Sequence, residues 1–234
     1  MDNYAYIIAS LPVLHQEDAR PEHFVAEELI EEIRGQLSRA DAATLDLLLE
    51  GYDSDKLDAG FYRDALAGRG RFVRDWLRDL VNGYDADESA EFYRRALAHG
   101  NRFIREWFRF DLDLRNATVA FLNDSLGRPE GQDLVLLAER EAEEFPEEEA
   151  VLQVLNRADL LKRERGLDDL RWQKVDELTA MDVFNLELIL GFVAKLKIID
   201  RWLQLDPEAG RALFRKLVED VRSTYDNKKQ DITI

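Results

Sequence analysis

Residues 61–78, FYRDALAGRGRFVRDWLR, recur 31 positions later as FYRRALAHGNRFIREWFR at 92–109, with Phe, Tyr, Arg, Ala, Leu, Ala, Arg, Phe, Arg, Trp and Arg in register. The aromatics keep helical spacing in each copy, Phe61/Phe72/Trp76 and Phe92/Phe103/Trp107. A helical unit of about 30 residues cannot bury its apolar face alone, so such units stack on their neighbours. The repeat therefore predicts an all-α, multi-helix assembly that presents helical surface. It supplies no nucleophile, metal ligand or phosphate loop.

The rest of the chain reads the same way. Tyr4–Leu14, YAYIIASLPVL, is aromatic and β-branched and is broken by Pro12, which suits a short strand or a buried extended lead-in. A helix is expected from Pro21 through PEHFVAEELIEEIRGQL, with proline and Glu22, Glu27 and Glu28 at the end where the helix dipole favours them. Ser38 or Asp41 caps a second helix through ATLDLLLEGY. Asn82-Gly83 and Asp85–Ser89 separate the copies, and Gly68-Arg-Gly70 and His99-Gly100-Asn101 are points inside them where a helix ends and restarts. Gly127-Arg-Pro-Glu-Gly131 is the strongest break, and it divides the expected fold into helical subdomains at 1–127, which holds the repeat, and 128–234. The most apolar helix is expected at 182–204, followed by Asp206-Pro207-Glu208 and a last helix from about Pro207 to Tyr225.

Composition narrows the function classes. With 234 residues, 46% of them hydrophobic, the chain can bury a real core, and zero cysteines exclude disulfides and thiolate chemistry. The start MDNYAYIIASLP lacks a basic, apolar secretory pattern, which gives the expectation of a cytoplasmic address. The apolar stretch at 188–194 is far shorter than the ~20 residues of a membrane span, so membrane association is expected only through partners. A net charge of −17 argues against nucleic acid as a partner. The charge is uneven, because residues 61–116 hold 11 arginines against 10 acids. That arginine-rich island reads as a docking surface for acidic segments or as arginines solvated beside acids on their own helices.

Active-site constellations are missing. His15, His23 and His99 form no HxxxH, HExxH or ExxH pattern, and Gly68-Arg-Gly70 has neither phosphate-loop spacing nor a preceding strand. No metal, cofactor, nucleotide or small-molecule substrate is therefore expected, and the chain reads as a non-enzyme. The acidic run at 139–149 reads as a solvated face or an interaction strip. Glu187, set in VFNLELILGF, is either a buried carboxylate needing a partner or a glutamate at the edge of a packed face. Asn116 and Asn185 are polar groups in apolar helices, which bond a nearby backbone or fix a partner.

Three stretches, YAYIIASLPVL, NRFIREWFRFDLDLRNATVAFLN at 101–123 and FNLELILGFVAKLKIIDRWLQLDPEAGRALFRKL at 184–217, carry a resemblance. Together they resemble an uncharacterised bacterial family encoded among the genes of V-type (A/V-type) ATP synthases. That family is similar in apparent role to the C subunit, called d in eukaryotic complexes, the helical funnel that seats the central stalk on the membrane rotor ring. The chain is shorter than C/d subunits, which have three similar helical domains. The resemblance implies a non-catalytic coupling subunit whose partners are stalk and rotor-ring subunits, held peripherally at the inner membrane through the ATPase complex. It points to Arg102, Arg105, Trp107, Arg109, Asn116, Asn185 and Glu187 as partner-binding residues. The competing reading is a cytosolic helical adaptor or scaffold unrelated to the ATPase.

Overall fold

The computed structural model describes residues 4–14, 26–52, 86–137 and 144–204. The protein is all-α. Among the described residues there are eight helices and no strand: α1 (Ala5–Ser10), α2 (Ala26–Gln36), α3 (Arg39–Glu50), α4 (Ala86–Leu97), α5 (Arg102–Leu126), α6 (Glu148–Leu155), α7 (Leu160–Thr179) and α8 (Leu186–Gln204). The first repeat copy at 61–78, the start of the helix expected from Pro21, residues 139–143 of the acidic run and the last expected helix lie outside the described residues.

The helix ends follow local chemistry. Ser38 caps α3: its Oγ accepts from the Asp41 amide at 3.2 Å and donates to Asp41 Oδ2 at 2.9 Å. This reciprocal pair satisfies one of the orphan amides of a helix start. In the second copy the helix does stop and restart between Leu97 and Arg102, and Asn101 caps α5 by accepting from the Ile104 amide. Gly127 ends α5 in the left-handed region at φ 63°, with the Arg128 amide on the Asn123 carbonyl at 2.8 Å and the Gly127 amide on the Asp124 carbonyl at 3.2 Å. That paired bonding is a Schellman closure, which glycine enters without a Cβ clash.

Two expectations differ from the structure. Tyr4–Leu14 is not extended at its start: Ala5–Ser10 form a short helix, because Tyr4 is fixed at both ends of its residue by other elements. Its amide donates to the Phe184 carbonyl at 3.0 Å, while its hydroxyl donates to Asp41 and accepts from the Ser38 amide. The apolar helix expected from 182 begins at Leu186, since Asn185 accepts from the Leu188 amide and Phe184 at φ 56° is not helical.

α5 and α8 form the centre. α5 packs against α4, α6, α7 and α8, and α8 packs in addition against α2, α3 and α7, so the buried cluster runs across the break at 127–131. Aromatics fill the α4–α5 side: Phe92 meets Phe108 edge-on at 4.9 Å, and Trp107 lies between Phe103 and Tyr52 at 6.2 and 6.4 Å. Such pairs add specific geometry to the area that they bury. α7 and α8 approach closely at Gly191, where an added Cβ would sit 2.7 Å from Thr179 Cγ2.

Candidate functional site

The N-terminus of α5 meets the α7–α8 turn, and several of the singled-out polar residues gather there. Arg102 donates from one guanidinium nitrogen to the Leu178 carbonyl and to Asp182 Oδ2, each at 2.8 Å. Asp182 uses its other oxygen to accept from Asn185 Nδ2 at 2.9 Å. Asn185 in turn caps α8, so Arg102, Asp182 and Asn185 form one chain of bonds from α5 to α8. Glu187 lies beside it in the first turn of α8, half-buried, and accepts from Asn101 Nδ2 at 3.2 Å. A carboxylate suits that first turn, where the helix dipole is positive.

Arg105 belongs to the same end. Its Nη1 donates to the carbonyls of His99 and Gly100, both at 2.8 Å, and so closes the turn between α4 and α5. In that turn His99 Nδ1 accepts from the Asn101 amide at 3.1 Å. Burial, reinforced by the Arg105 cation, lowers the His99 pKa, so the neutral ring that can accept this bond is the favoured form.

The remaining candidates lie apart from this junction. Trp107 is 2% exposed and is part of the core. Arg109 sits about two turns along α5, paired with Glu106 at 3.3 Å, at a cleft of about 290 Å³ that Phe110, Glu144, Phe145 and Lys174 also line. Burial alone would lower Lys174, but hydrogen bonds to Glu147 and Glu177 more than offset it and raise its pKa. Asn116 clamps a backbone: its Nδ2 donates to the Val135 carbonyl at 2.9 Å and its Oδ1 accepts from the Val135 amide at 3.0 Å.

Sequence reasoning did not find a second polar cluster, in the interior. Asp168, on α7, is 1% exposed and accepts from Arg171, Arg201 and Trp202 Nε1. Tyr52 lies near it; its hydroxyl is buried without a hydrogen-bond partner among the described residues, and burial, with the Asp111 charge next, raises its pKa well above the usual tyrosine value. The one readable sign was the Asp168–Arg171 spacing of three residues. Among the described residues no group of three or more acidic or histidine side chains is placed to hold a metal ion, and no helix is long and apolar enough to cross a membrane.

The chain belongs to the family described as Protein of unknown function (DUF2764), whose model matches residues 1–89 and 84–224. Each matched segment holds one copy of the repeat. No curated protein and no solved structure matches the chain.

Proposed function

We propose that this DUF2764 protein is a non-catalytic, C/d-like subunit of a bacterial V-type ATP synthase, coupling the central stalk to the membrane rotor ring. One observation carries the reading. The described parts of the stretches that resemble the ATPase-associated family, 4–14, 101–123 and residues 184–204 of 184–217, are far apart in sequence yet meet at one end of the bundle. They meet through the Tyr4 amide on the Phe184 carbonyl and Asn101 on Glu187, with Arg102 bonded to Asp182 just ahead of the third stretch.

A part that passes torque has to resist shear between its helices, and a hydrogen-bonded junction between packed helices does that. Of the residues of the resemblance, Arg102, Arg105, Asn185 and Glu187 are those that bond at this end. In this reading load enters through helical surface on one side and leaves on the other, and neither ATP nor the transported ion binds the chain. The protein then sits in the cytoplasm, held at the inner membrane by the complex.

The test is co-purification. Tagged protein recovered from gently solubilised membranes of its own organism should bring stalk or rotor-ring subunits with it. Recovery of unrelated soluble proteins alone would contradict the proposal and favour a general helical adaptor.

A further inference from the structure

The start of α7 carries charge of the sign that a helix start disfavours. Asp159 caps it by accepting from the Lys162 amide at 3.0 Å, but no acid stands in the first turn, where the dipole is positive. Lys162 and Arg163 stand there instead, with Arg165 just beyond. Arg157 joins them from the turn before the helix: its Nη1 donates to the Lys162 carbonyl at 3.2 Å and lies over Gly166, where an added Cβ would meet it at 2.7 Å. Carbonyls and rings hold these guanidinium groups. Arg163 donates to the Arg157 carbonyl and lies 5.9 Å from the Phe121 ring, and Arg165 lies 4.4 Å from the Trp202 ring. Among the described residues none of the four cations has an ion pair, and Arg157, Lys162 and Arg165 are exposed. The acids between 157 and 165 are Asp159 at the cap and Glu164, which pairs with Arg201 at 3.4 Å. Four cations against two acids make this a basic patch on a chain of −17.

We propose that this patch is a docking surface for a short acidic segment of a partner protein. Its carboxylates take the Lys162 ammonium and the N–H groups that the backbone bonds of Arg157, Arg163 and Arg165 leave free. A guanidinium stacked on a ring keeps its in-plane edge open, and that edge matches a carboxylate two bonds at a time. Extent and charge select this occupant. A bilayer or a nucleic-acid duplex reaches beyond the screening length of ~8 Å and meets the acidic remainder of the chain, whereas a short segment meets the patch alone. The patch lies about 30 Å along α7 from the junction at Arg102, so it is a second contact end, and it stands whether or not the stalk reading does.

A fluorescein-labelled deca-glutamate peptide, titrated with the full chain at about 50 mM salt, tests the proposal. The wild type should bind it, and added salt should release it. Lys162→Glu reverses an exposed side chain and puts a carboxylate at the third helical position, where it favours the cap. Melting should therefore hold or rise while binding weakens at least about tenfold. Arg165→Gln should weaken binding about as much, and it decides if Lys162→Glu melts earlier. Arg94→Glu makes the same change of charge on an exposed arginine that pairs with Glu91, and should leave binding within about twofold. Failure of the wild type to bind would overturn the proposal, and so would an equal loss in Arg94→Glu, which would make net charge the cause. Tighter binding to phosphatidylserine vesicles or to single-stranded DNA, or self-association, if lost in Lys162→Glu, would assign the patch to a membrane, a nucleic acid or a second copy and contradict it.

Discussion

At the scale of single residues, the arginines of the second repeat copy hold the molecule's own backbone. Arg102 and Arg105 between them bond three main-chain carbonyls, and Arg102 also pairs with Asp182. Arg102→Glu therefore sets a carboxylate against Asp182 and leaves the Leu178 carbonyl without its donor. Chemical denaturation should show a loss of about 1–2 kcal/mol, the scale of a charge-assisted bond at a half-exposed site. An unchanged midpoint would mean that the guanidinium contributes nothing to the fold. His99 gives a pH-dependent counterpart. Its folded pKa lies below the unfolded value, so the unfolded chain takes up the proton first as pH falls. Its contribution is present above the ordinary histidine range near ~6.5 and is lost as pH drops from there through the lowered folded value. Melting curves between pH 7.5 and 5.5 should thus show a steeper loss in the wild type than in His99→Asn; parallel losses would refute the assignment. These roles were only half legible in sequence. The arginines stood out as a cluster, but the acceptors of Arg102, the Leu178 carbonyl and Asp182, lie about 80 positions away, as residue pairs 76 and 80 apart.

At the scale of elements, start and stop signals were readable wherever a side chain bonds its own helix end. Ser38, Asn101 and Gly127 mark helix boundaries through local bonds of three to five residues' span. The α8 start was misplaced because Val183 and Phe184 look like helix-face residues, whereas the Asn185 cap and the tertiary tie from Tyr4 to the Phe184 carbonyl keep them out of the helix. The 131–137 segment is fastened to α5 by Asn123, which donates to the Gln132 carbonyl, and by Asn116, which mimics a strand partner for Val135. Asn116→Ala leaves a buried amide and carbonyl unbonded, a cost of about 2 kcal/mol. Hydrogen exchange should quicken at 133–137 while α8 amides stay protected; uniform quickening would indicate global unfolding in place of a local release. At the α7–α8 crossing, Gly191→Ala pushes a methyl into Thr179 and Val175 and should cost about 1–3 kcal/mol.

At the scale of the whole molecule, the aromatic repeat and amphipathic spacing were enough to indicate an all-α fold, because helix periodicity is written in neighbouring residues. The interior cluster around Asp168 was not legible, since Arg201 and Trp202 reach it from 33 and 34 residues away. Asp168→Ala should lower stability by ~2–3 kcal/mol, as removal of one member of a buried ion pair does, tempered here by the partial exposure of Arg201. The same reach explains the junction beside α5: its members become one site only after α5 packs against α7 and α8. In the proposed role this assembly couples the stalk to the rotor. Inverted membrane vesicles from cells lacking the protein test it most directly, with ATP-driven ion uptake and ATP hydrolysis measured side by side. Hydrolysis should persist while uptake collapses, and re-expression of the protein should restore uptake. Full ATP-driven uptake in its absence would contradict the claim.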